Sequence, residues 1–116
     1  MSDVSIYHNP RCSKSRQTLA LLEEKGIKAN IVEYLKTPPS IETLEDILKQ
    51  LDISPRALLR KGEAIYKELN LKDDSLSDQQ LIQAMSENPK LIERPIVITN
   101  GKAKLGRPPE SVLEIL

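Results

Sequence analysis

One cysteine and one histidine occur in this 116-residue chain, and both lie in the stretch His8-Asn9-Pro10-Arg11-Cys12-Ser13-Lys14-Ser15. A cysteine does chemistry as the thiolate, so what matters is whether its surroundings favour ionisation. Arg11, Lys14 and Arg16 put positive charge beside Cys12, and His8 would add to it when protonated. Ser13 and Ser15 offer hydroxyl donors to the sulfur. Free cysteines are commonly buried as small hydrophobes, but a core position is not expected between Arg and Ser directly after Asn-Pro. The same stretch limits the chemistry. A C-x-x-C redox pair needs a second cysteine at position 15, where Ser15 stands, so any redox cycle must take electrons from an external thiol. A phosphatase-type C-x5-R loop is excluded too, because its arginine would fall on Thr18.

The elements around Cys12 place it well. Val4 to His8 alternates apolar and polar residues as a short strand does, and Asn9-Pro10 breaks it. From Ser13 the chain reads as a helix with Leu19 and Leu22 on its apolar face, Thr18 and Leu21 beside them, and Gly26 as its stop. Asn30 to Tyr34 is a second strand, so the N-terminal third is a βαβ unit with parallel strands. Cys12 falls at the start of the helix. The first N–H groups of a helix have no internal partner, and together with the helix dipole they stabilise a thiolate or an oxyanion placed there.

Further along, Ser40 caps a helix carrying Ile41, Leu44, Ile47, Leu48 and Leu51, and Ser54-Pro55 starts a shorter one. Ala64 to Leu69 continues in helical fashion. Ser77-Asp78-Gln79-Gln80 has the form of a capping box ahead of a helix that ends at Asn88-Pro89. A helical stretch from about 40 to 88 is therefore expected. Strands return at Pro95 to Thr99, with Asn100-Gly101 as a two-residue hairpin turn and Lys102 to Leu105 pairing back. Gly106-Arg107-Pro108-Pro109 is a loop, and Pro109 suits the start of a short last helix. The order is βαβ, helices, ββα: an α/β domain spanning 1–116, with a helical insertion.

Composition narrows the function classes. The 17 basic and 17 acidic residues cancel, so no global field draws the chain to nucleic acid or an anionic membrane. With three Tyr and no Trp or Phe, stacking platforms for bases are not expected. The N-terminus lacks a secretory pattern, and no stretch approaches the roughly 18 apolar residues of a membrane span. A lone cysteine forms no internal disulfide, and no metal-ligand spacing occurs. These features lead to the expectation of a cytoplasmic protein.

Tyr7-His8-Asn9-Pro10 leading to Cys12 and Ser15, Arg-Ala-Leu-Leu-Arg at 56–60, Glu93-Arg94-Pro95-Ile96-Val97 and Gly106-Arg107-Pro108-Pro109 together resemble the glutaredoxin-coupled arsenate reductase (ArsC) family. The similarity runs over essentially the whole chain and is closer to the YfgD-like branch. It implies a thioredoxin-like (glutaredoxin-like) fold with a mixed four-stranded sheet. It also implies arsenate reductase activity in which Cys12 attacks arsenate, Arg60, Arg94 and Arg107 hold the oxyanion, and His8 and Ser15 assist the cysteine. Glutathione is implied as co-substrate and glutaredoxin as partner, with no bound cofactor or metal and a monomeric chain. Pro95 would be the cis-proline of such folds. Arginine suits the role because its forked donors match an oxyanion and its charge is permanent. Arg11, Ser13 and Lys14 replace smaller or uncharged residues around the cysteine of arsenate reductases. Two other functions are compatible with the same framework: a glutathione-linked thiol oxidoreductase acting on another substrate, and an Spx-like regulator that binds RNA polymerase. The redox switch of the latter generally needs the C-x-x-C that Ser15 removes.

Overall fold

The alternation of Val4-Ser5-Ile6-Tyr7 becomes a strand, β1 (Ser5–Tyr7), in the computed structural model, which describes residues 4–116. The described residues form two compact units, one holding residues 4–37 and 94–116, the other Pro38–Glu93.

In the first unit β1 leads to helix α1 (Ser13–Glu24) and then to β2 (Asn30–Val32), which pairs parallel with β1 in the register Ile6↔Ile31. Strand β3 (Ile96–Thr99) lies antiparallel on the other side of β1, with Val97 opposite Ile6, and β4 (Lys102–Leu105) continues antiparallel to β3. The order β2-β1-β3-β4 is the mixed four-stranded sheet of a thioredoxin-like fold. Asn100 and Gly101 both have left-handed backbone, with φ of 51° and 74°, as a tight two-residue hairpin requires. Val4 and Ile6, two residues apart and so on one face, pack with Leu22 of α1, Val97 of β3 and Val112 near the C-terminus. The strands are shorter than the sequence suggests. His8 leaves the ladder at the Asn9-Pro10 turn, although its N–H still donates to the Val32 carbonyl at 2.9 Å. The last helix is wound as a tighter 3-10 helix, Pro109–Ile115.

Helix α1 departs from its expected apolar face. The residues it buries are Ser15, Thr18 and Leu22, whereas Leu19 and Leu21 pack partly buried at the margin of the core. Its first turn thus buries a hydroxyl, which needs a partner there. Gly26, at φ 75°, turns the chain out of the helix while its N–H bonds the Glu23 carbonyl.

The second unit is helical. Helix α2 (Ile41–Leu51) buries Leu44, Ile47 and Leu48, and the Ser40 hydroxyl accepts the Thr43 N–H as its cap. Ser54 caps the short α3 (Pro55–Leu58) in the same way, and α4 (Ala64–Glu68) follows. Helix α5 (Asp78–Glu87) opens with both bonds of the capping box between Ser77 and Gln80, and buries Leu81, Ile82, Ala84 and Met85. It packs on α2, α3 and the 3-10 turn Pro89–Leu91 that follows it. After α3 the backbone straightens into an isolated bridge between Leu59 and Ile92. It is flanked by bonds from Arg60 N–H to the Leu91 carbonyl and from Glu93 N–H to the Leu58 carbonyl.

Candidate active site

Cys12 is the N-cap residue of α1, with φ −92° and ψ 124°. A serine or aspartate at such a position turns an oxygen to the N–H groups two or three residues on; here the N-cap residue is a cysteine and makes no side-chain capping hydrogen bond. The loop that delivers it is internally bonded. Asn9 Oδ1 accepts the Arg11 N–H at 3.0 Å, and the Asn9 carbonyl accepts the Cys12 N–H at 3.0 Å. Arg16 reaches back along the helix to donate through Nη1 to the Pro10 carbonyl at 3.0 Å.

Partial burial opposes ionisation of Cys12, but that effect is outweighed. The Ser15 backbone N–H, a hydrogen bond and the charge from the Arg94 guanidinium, and the Lys14 backbone N–H together hold the thiol below its ordinary value of 9.0. Arg107 comes to the same sulfur, with Nη2 3.8 Å from Cys12 Sγ, the long end of an N–H···S contact. Its Nε donates to the Arg94 carbonyl at 2.8 Å, which ties the two arginines together. Arg94 is the stronger influence on the thiol, because Arg107 is exposed and its contact is screened by water. The Arg94–Pro95 peptide is cis, and so is Arg107–Pro108, which the sequence reading did not anticipate.

His8 and Ser15 depart from their expected behaviour. The Ser15 hydroxyl is fully buried and does not serve the sulfur: it accepts the Asn9 N–H at 3.0 Å and lies 2.7 Å from His8 Nδ1. It is the backbone N–H of Ser15 that acts on Cys12. A hydroxyl has one hydrogen and two lone pairs, so the Ser15 oxygen accepts the Asn9 N–H and still pairs with Nδ1 in either imidazole tautomer. Burial lowers the His8 pKa, Glu33 pulls it up, and Arg16 lowers it; the net result is below the ordinary 6.5. His8 is therefore neutral at neutral pH and adds no positive charge to the thiol, because the cost of ionising a buried imidazole outweighs the pull of Glu33.

Of the three arginines the resemblance selects, Arg94 and Arg107 meet at Cys12. Arg60 belongs to the helical unit, where the Leu59–Ile92 bridge carries it beside Glu93. Its Nη1 pairs with Glu93 Oε1 at 3.1 Å, while its Nε is buried without a hydrogen-bond partner among the described residues. Sequence reasoning passed over two residues that matter to this geometry. Asn9 is buried and shapes the cysteine loop, and the Asn-Pro pair was its one visible signal. Glu93 neutralises Arg60, and only the long-range bridge reveals that partnership. Among the described residues no cluster of three or more His, Cys, Asp or Glu could hold a metal ion, and no helix is long and apolar enough to cross a membrane.

Comparison with known proteins places this geometry among relatives. Residues 7–115 match the ArsC family model. The chain is 62% identical over 114 residues to the protein YfgD of Escherichia coli (strain K12), covering 97% of this chain and 96% of that one. It is 55% identical over 114 residues to the arsenate reductase of Haemophilus influenzae, covering 97% and 98%. Among solved structures, the arsenate reductase from Vibrio cholerae superposes with a TM-score of 0.96 at 60% identity, covering 97% of each chain.

Proposed function

Because the chain belongs to the ArsC family, we propose that it is an arsenate reductase that works through Cys12 and draws its electrons from glutathione and glutaredoxin. The observation that carries this reading is the Arg94 guanidinium hydrogen-bonded to the Cys12 sulfur at a helix N-terminus, with Arg107 3.8 Å away. A thiolate nucleophile and an oxyanion repel each other. A site that neutralises both with guanidinium and backbone N–H groups lowers that barrier and stabilises the charge that builds on the departing oxygen.

In this mechanism the Cys12 thiolate forms a bond to arsenic, and one arsenate oxygen leaves as water after protonation. Arg94 and Arg107 hold the remaining oxygens. His8 and Ser15 keep the cysteine loop in place through their buried hydrogen bond. A glutathione thiol then attacks the bound arsenic and displaces a second oxygen as water. A glutaredoxin thiol attacks the glutathione sulfur, and the two thiols leave as a mixed disulfide. The two electrons released reduce arsenic from the +5 to the +3 state. Water cleaves the Cys12–sulfur–arsenic link, which releases arsenite and restores the thiol. Ser15 gives Cys12 no neighbouring cysteine with which to close a disulfide, which supports the use of external thiols. The enzyme acts as a cytoplasmic monomer without a bound cofactor.

Arsenate-dependent NADPH oxidation with glutathione, glutathione reductase and glutaredoxin tests the proposal. The wild-type chain is expected to turn over and Cys12→Ala to be silent; full activity in Cys12→Ala overturns it. Turnover of a glutathionylated substrate without arsenate turnover would keep the thiol chemistry and replace the substrate.

A further inference from the structure

Gly106 directly follows β4 and is buried in surroundings that leave no space for a side chain. A Cβ at this position would stand 2.5 Å from Thr18 Oγ1, 2.7 Å from Pro95 Cγ and 3.2 Å from Thr18 Cγ2. The backbone of Gly106 is not left-handed, so it is space and not conformational freedom that calls for glycine. Neither neighbour yields easily. Thr18 is fully buried and its hydroxyl donates to the Lys14 carbonyl at 2.8 Å, while the Pro95 ring is buried and cannot rotate away.

These contacts sit between the groups that converge on Cys12. Thr18 lies on α1, the helix that Cys12 caps, and its hydroxyl is bonded to the first turn. Gly106 N–H donates to the Pro95 carbonyl at 2.9 Å, and the next residue, Arg107, donates through Nε to the Arg94 carbonyl at 2.8 Å. The distance between Gly106 and Thr18 therefore sets how closely the Arg94–Pro95 and Arg107 segments approach the helix bearing the thiol.

We propose that Gly106 and Thr18 are positioning residues, whose direct contact, braced by the Pro95 ring, fixes the Arg94 and Arg107 guanidinium groups at the Cys12 sulfur. The inference rests on reading Cys12 as an activated thiol and deepens that reading. An extra methyl group at position 106 must be accommodated by moving the loop away from α1 or Pro95 off its strand, because a packed interior has no spare volume. Either movement draws the guanidinium groups away from sulfur.

The pH dependence of Cys12 alkylation by iodoacetamide tests this without arsenate. Gly106→Ala is expected to raise the inflection by about half a pH unit or more, roughly a threefold loss of thiolate below the inflection. Thr18→Ala combined with Gly106→Ala relieves two of the three contacts and is expected to fall between that variant and wild type. In an Arg94→Ala, Arg107→Ala background, Gly106→Ala is expected to move the inflection no further, which a merely structural glycine would not produce. Gly62→Ala, whose Cβ would meet nothing within 4 Å, serves as the silent control. A folded Gly106→Ala protein with the wild-type inflection overturns the proposal, as does an undiminished shift in the Arg94→Ala, Arg107→Ala background. Should Gly106→Ala fail to fold, the double variant decides: a raised inflection supports the proposal and a wild-type one overturns it. A wild-type inflection at the ordinary thiol value of 9.0 would instead sink the reading of Cys12 as activated.

Discussion

The Ser15 hydroxyl and His8 Nδ1 lie 2.7 Å apart, both buried beneath the loop that carries Cys12. The same hydroxyl accepts the Asn9 N–H, so one side chain satisfies a buried imidazole and a buried backbone donor together. Replacing it strands both. Ser15→Ala is expected to cost about 1–3 kcal/mol, the desolvation penalty of buried polar groups left unpaired. Urea denaturation monitored by circular dichroism measures it, and a loss within error of zero would contradict the bond's role.

His8 makes stability depend on pH in a definite direction. Its folded-state pKa lies below the ordinary 6.5, so as pH falls through 6.5 the unfolded chain takes up a proton that the folded chain refuses. Stability is therefore lost with falling pH from 6.5 down to the folded-state value, with a slope of up to about 1.4 kcal/mol per pH unit for one proton. His8 is the only histidine, so His8→Gln should remove this component. Urea midpoints of the two proteins near neutral pH and at about pH 5.5 give the comparison; equal pH dependence would refute it.

At Cys12 the two neighbouring arginines are not equivalent. Arg94 bonds the sulfur and contributes its charge, whereas Arg107 stands 3.8 Å away at the exposed rim. Arg94→Ala is expected to raise the inflection of alkylation rate against pH by about one unit, within the range one close cation produces, and Arg107→Ala by less. The reverse order would mean that the exposed guanidinium governs the thiol.

The hairpin offers a stability change remote in chemistry from the thiol. Gly101 holds φ 74°, a backbone that an L-residue adopts at a cost of about 1–2 kcal/mol. Gly101→Ala should lose about that much by thermal or urea denaturation while the Cys12 alkylation profile stays unchanged. A shifted profile would show that the β3–β4 turn reaches the site.

Local signals carried much of this architecture. Ser40, Ser54 and Ser77 cap the helices they announce, because a capping hydroxyl acts over three residues and needs no distant partner. Asn100-Gly101 forms its turn for the same reason, since left-handed backbone is a property of those two residues. The place of Cys12 at a helix start follows from Asn9-Pro10 breaking the strand and Ser13 beginning the helix.

By itself, then, the sequence determined the order of elements and the exposure of one thiol to helix N–H groups and positive charge. Only the tertiary structure decided which groups act on that thiol. Ser15 turns its hydroxyl inward to His8 because a buried imidazole and the Asn9 N–H both need a partner. His8 is neutral because burial makes its charge costly, more than Glu33 offsets. Arg94 and Arg107 reach Cys12 from the far end of the chain through the antiparallel pairing of β3 with β1 and β4, and Gly106 leaves the space for them to do so. Hydrogen-bond satisfaction and close packing are properties of contacts between distant segments, and no local pattern encodes them.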